Sequence, residues 1–161
     1  MNQETCVVRV TRAFDFPAAR VFDAWLNPEQ ATKFLFKTDT GIMKKVEIDA
    51  RVGGRFCIVE TRDGVDAEHI GEYLEIDRPH RLRFSFGGHP FPATYVTITI
   101  TSTEPGCTLE LVHEGVWQDY ESRVIEGWTR ILSHLEVSVL PQTTSQGNAI
   151  SQKCRQISKC K

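Results

Sequence analysis

Residues 45–113 hold one short β-patterned run after another, and only tight turns separate them. Parallel neighbours need a crossover of about a dozen residues or more, which these turns cannot supply. The stretch therefore builds an antiparallel meander. Its runs are 45–51, 55–61, 69–77, 81–86, 95–101 and 107–113. Val52-Gly53-Gly54, Asp63-Gly64, Pro79, Gly87-Gly88 and Glu104-Pro105-Gly106 mark the breaks. In the fifth run Val96, Ile98 and Ile100 alternate with Thr97, Thr99 and Thr101, the pattern of a strand with one buried and one solvated face.

The flanks are different. An opening β-branched run at 6–14 stops short of Pro17. Asp15 or Phe16 caps a helix, with Pro17 near its first turn and Ala18, Val21, Phe22 and Trp25 on one face. Asn27-Pro28 breaks that helix and restarts a short one over 29–34, which leads into Phe34-Leu35-Phe36. From 118 to 140, Val124, Trp128, Ile131, Leu132, Leu135 and Val139 fall on one helical face. Glu121, Arg123, Glu126, Arg130 and Glu136 fall on the other. A helix of about 22 residues is about 33 Å long, enough to cross a whole sheet. The expected fold is α+β: a curved antiparallel sheet of about six to seven strands round one long C-terminal helix. Two short helices after the first strand close one end. That arrangement leaves a cavity between sheet and helix, a common place for a small ligand.

The expected domain spans 1–140, and 141–161 is a polar, basic, disordered tail. The first 140 residues carry 15 bases against 21 acids, and the tail carries four bases and no acid. The overall charge of −2 argues against a nucleic-acid partner. No window is long and apolar enough to span a membrane, and the N-terminus lacks the pattern of a secretory signal. The five cysteines include no C-x-x-C pair, which points to reduced thiols and a cytoplasmic protein. Cys57 and Cys107 lie in strand runs and are read as small core residues. No two histidines share the i, i+4 spacing of a helical zinc site, and neither glycine pair opens a helix to cradle phosphate. The expectation is no metal and no cofactor.

Several segments in order carry a family resemblance. They are Val21-Phe22-Asp23-Ala24-Trp25-Leu26-Asn27-Pro28-Glu29, Val52-Gly53-Gly54-Arg55-Phe56 and Gly71-Glu72-Tyr73-Leu74-Glu75-Ile76. Arg81-Leu82-Arg83-Phe84, Cys107-Thr108-Leu109-Glu110-Leu111-Val112-His113 and Gly127-Trp128 follow. The chain resembles the START/Bet v 1-like (SRPBCC) superfamily. Within it the chain is most similar to homologues of the heat-shock protein 90 ATPase activator. The resemblance covers about residues 7–140 and implies the helix-grip fold. It also implies a range of functions: lipid and sterol carriers, hormone binders, polyketide aromatases and cyclases, and cochaperone domains. Fold alone does not choose among them. The family often has two aromatic residues after the second short helix; here Phe34-Leu35 stands in that place, a partial departure.

Strand alternation proposes the site residues. Cys107, Leu109, Leu111 and His113 share one face, which puts His113 inside. Ile70, Glu72, Leu74 and Ile76 share another, which puts Glu72 among apolar neighbours. The two are the candidate pair for proton transfer or ligand orientation. The alternative is structural: Glu72 paired with an arginine such as Arg55, and His113 bonded to backbone. Trp25, Phe34, Phe56, Phe84, Trp117 and Trp128 complete the candidate wall, a role that overlaps with core packing. Three readings follow: a binder of a lipid-like or aromatic small molecule, a cyclase or hydrolase in the same cavity, or an interaction domain for a heat-shock chaperone.

Overall fold

The tightest hairpin follows from two residues. Asp63 and Gly64 have φ of +51° and +81°, as a two-residue type I′ loop requires. Arg62 and Val65 pair directly across them. The computed structural model describes residues 4–87, 93–103 and 105–140; the expected tail at 141–161 lies outside the described residues. The strands are β1 (Thr5–Phe14), β2 (Ile42–Ile48), β3 (Arg55–Arg62), β4 (Val65–Asp77), β5 (Arg81–Phe86), β6 (Thr94–Ser102) and β7 (Cys107–Trp117). They form a single seven-stranded sheet in the order β1-β7-β6-β5-β4-β3-β2. Every adjacent pair is antiparallel.

The chain passes from one sheet edge to the other through α1 (Ala18–Leu26) and α2 (Pro28–Ala31). The Asn27 side chain caps α2 by accepting from the amides of Glu29 and Gln30, with Pro28 in the first turn. The last segment, expected as one helix, has three parts. A 3-10 turn (Gln118–Tyr120) precedes α3 (Glu121–His134), and a π-helical turn (Leu135–Val139) ends it. Leu135, Val139 and Leu140 are all buried there. The Arg20 guanidinium, from α1, donates to the carbonyls of Val139 and Leu140 and to Gln30 Oε1. It thus joins both short helices to the end of the long one.

The core lies between the sheet's inner face and the helices. Val96, Ile98, Ile100, Cys107, Leu109 and Leu111 are buried as alternation predicts, and α3 adds Trp128, Ile131 and Leu132. α3 packs on β1 and β7, and a concavity separates the first half of α3 from His69 on β4 and Phe86 on β5. Cys57 corrects the sequence reading. It stands opposite Glu47 on β2, with its Sγ 3.7 Å from Glu68 Oε2. Phe56 and Ile58 take the inner parity of β3, so Cys57 faces outward and only half-buried.

Candidate functional site

His113 is the polar residue on the inner face of β7, and the structure places it inside as alternation predicts. Trp128 Nε1 donates to its Nδ1 at 3.0 Å. An indole N–H only donates, so Nδ1 carries no proton and Nε2 carries it. Nε2 donates to Thr94 Oγ1 at 2.7 Å, and that hydroxyl donates to the Phe86 carbonyl at 2.9 Å. The relay links α3, β7, β6 and β5 with every member satisfied. Burial pushes the imidazole's pKa down to about 4. His113 is thus a neutral connector with both nitrogens engaged.

Beside it sits an aromatic group from the other end of the sheet. Phe36 lies parallel to His69 at 4.5 Å and to Phe86 at 4.9 Å between centroids. Its own φ is +58°, a left-handed conformation that costs a non-glycine residue about 1–2 kcal/mol. His69 is bonded through Nδ1 to the Ile58 carbonyl at 3.1 Å, and burial holds its pKa below the usual value. The segment after Phe36 is tied by Glu60, a fully buried carboxylate on β3. Glu60 accepts from the Thr38 amide and hydroxyl and from Arg62 Nε. Burial alone would raise its pKa, but these donors outweigh burial and lower it. Gly41 is required beside it, since a Cβ there would stand 1.9 Å from Glu60 Oε2.

These residues line two adjoining concavities that share Phe86, His113 and Val124 as a common wall. One, of about 310 Å³, is almost wholly apolar, with Trp117, Tyr120 and Val116 on its walls. The other, of about 250 Å³, is lined by Phe36, His69 and Trp128 and rimmed by Lys37, Arg62, Arg123 and Arg130. Among the described residues, no group of three or more His, Cys, Asp or Glu is placed to hold a metal ion.

Of the candidates from sequence, His113, Trp117 and Trp128 meet at this site. Trp25 and Phe34 lie behind it, edge to face at 5.2 Å, with Trp25 also 6.4 Å from Trp128. Phe56 and Phe84 pack edge to face in the core under β3 to β5. Glu72 is a correction. It faces the outer side of the sheet across from Arg55, in a separate depression shared with Glu47, Cys57 and Ile70. The residues facing inward on β4 are His69, Gly71 and Tyr73. A register shift between Tyr73 and Glu75 then resets the alternation, and Ile76 joins the core. Ile70 and Leu74 are left 40% and 36% exposed, so apolar identity misreports the inner face of this strand. Sequence reasoning also missed Phe36, Phe86, His69 and the arginine rim. The signal for Phe36 was present in Phe34-Leu35-Phe36, where the third residue, not the first, reaches the site.

The family model for "Activator of Hsp90 ATPase homolog 1-like protein" matches residues 15–139. The chain belongs to this family. Solved structures share its fold. A protein of Chromobacterium violaceum is 28% identical, with a TM-score of 0.77 over 84% of this chain and 99% of its own. An AHSA1-like protein from Aeromonas hydrophila is 16% identical, with a TM-score of 0.76 over 91% and 100%. A protein of unknown function from Staphylococcus aureus is 15% identical, with a TM-score of 0.80 over 90% and 99%. No functionally curated protein matches the chain. Like other members of the AHSA1-like family, the chain pairs the helix-grip sheet with a long C-terminal helix, and its concavities open between the two. Among the described residues no helix is long and apolar enough to cross a membrane.

Proposed function

We propose that this protein binds a small apolar or amphipathic molecule in the paired concavities between α3 and the sheet. The observation that carries this is the apolar lobe against His113: preformed and walled by Phe86, Trp117 and Tyr120, with the nearest buried polar group already satisfied. Such sites bury a ligand chiefly by apolar contact and use a few polar groups to orient it. Proton transfer by a Glu72–His113 pair is not supported, because the sheet separates the two and both nitrogens of His113 are occupied. The lobes lie near the lower bound of about 300 Å³ for small-molecule pockets. They suit a medium chain or a small aromatic system better than a sterol.

The test is thermal unfolding of the full chain against fatty acids, flavonoids, aromatic polyketides and sterols. A ligand at 100 times its Kd stabilises by about 2.7 kcal/mol, a few degrees for a domain of this size. Val124 forms part of the shared wall, so Val124→Trp should fill the site and abolish the shift. A panel without any shift would overturn the reading, and capture of a heat-shock chaperone would become the next experiment.

A further inference from the structure

The two lobes differ in chemistry, and the difference specifies an occupant. The first is apolar. The second carries Lys37, Arg62, Arg123 and Arg130, and no carboxylate lines it. This concentration of cations occurs on a chain whose net charge is −2. Arg62 is committed to Glu60 and the Phe36 carbonyl. Arg123 and Arg130 are not: among the described residues neither has an acid partner. Arg123, which lines the second lobe, lies over the ring of Tyr120, which lines the first, at 5.4 Å. Arg123 and Arg130 are seven residues apart, two helical turns, and so share a side of α3. Gly127 lies between them with open space where a Cβ would stand. The helix is thus cut away where its two arginines flank the entrance.

We infer that the natural ligand is a small amphipathic carboxylate. Its anionic head rests between Arg123 and Arg130 over Gly127, and its apolar body lies along Phe86 and Val124 into the lobe of Trp117 and Tyr120. Guanidinium is the side chain best matched to a carboxylate, since its planar fork can donate two parallel hydrogen bonds. A neutral amphiphile would make the same apolar contacts and lose these. The inference rests on the proposed cavity binding and adds the charge of the head group.

The experiment is calorimetric titration of the full chain with octanoate and with octanol, which share a chain length and differ in the head. Octanoate should bind about tenfold more tightly, the lower end for charge-assisted hydrogen bonds. Both arginines are exposed, so the preference should shrink at high salt. In Arg123→Gln/Arg130→Gln the preference should fall to about twofold or less. Arg9→Gln/Arg81→Gln removes as much charge from the outer surface and should keep the preference. Equal affinity for both ligands would overturn the head-group assignment and leave the cavity reading standing. A preference that survives in Arg123→Gln/Arg130→Gln would do the same. Binding of neither ligand would overturn both.

Discussion

Protonating His113 would place a second N–H against the indole N–H that already donates to it. Burial also disfavours the charged form, and it is burial that lowers the imidazole's pKa from 6.5 to about 4. Its closest polar partners, Trp128 and Thr94, are neutral. Between about pH 6.5 and pH 4 the unfolded chain therefore binds more protons than the folded one. Stability is complete above pH 6.5 and is lost as pH falls through this window. The loss should reach roughly 2 kcal/mol by about pH 5, and the depressed His69 adds in the same direction. Chemical denaturation at pH 7 and pH 5 measures it. His113→Gln keeps an acceptor for Trp128 and a donor for Thr94, and it should flatten most of this dependence. A variant with the full wild-type slope would assign the effect elsewhere. The position of His113 was legible because Leu109 and Leu111 fix the parity of β7. Its partners were not, because they come from three other elements and no local pattern joins them.

Strand β4 shows where alternation fails and why. Its inner face is built from an imidazole, a glycine and a phenol, while isoleucine and leucine face outward. Gly71 takes the inner position because nothing larger fits. A Cβ there would lie 2.0 Å from the Ser85 carbonyl oxygen and 2.5 Å from the Phe56 ring. Backbone on one side and a packed ring on the other leave no room to yield. Gly71→Ala should destabilise by about 1–3 kcal/mol, as overpacking does, read from the urea midpoint. Gly127→Ala, with open space around it, should instead gain up to about 1 kcal/mol of helix propensity. Reading α3 was simpler. The apolar spacing of α3 and its final turn named Val124, Trp128, Ile131, Leu132, Leu135 and Val139, and all but the half-buried Val124 are buried. Period 3.6 survives in a helix with one packed face, whereas period 2 is lost at a single bulge.

Across the whole molecule, the order from β2 to β7 followed from turn lengths, because short turns permit only antiparallel neighbours, whereas the pairing of β1 with β7 did not, since no short turn joins them. Position of the cavity did not follow, since it depends on how far α3 sits toward β1 and β7. Arg20 helps to set that seat. It bonds the last carbonyls of the long helix from a position on the first. Hydrogen bonds from a charged donor contribute about 1.5–3 kcal/mol, so Arg20→Met should lower stability by that amount in denaturant titration. An unchanged midpoint would mean that apolar packing alone holds the helix end.

The edge pairing of β1 with β7 has a consequence for synthesis. Thr5 is matched with Trp117 and Phe14 with Cys107. The first strand to leave the ribosome waits for the last strand before it has a neighbour. At about 5–20 residues per second, a wait for about a hundred residues is on the order of 5–20 s. During that interval β1 is an unpaired edge with Val8, Val10 and Phe14 uncovered, open to association with other nascent chains. Most of the sheet can assemble as it emerges, but this domain cannot close until β7 has been made.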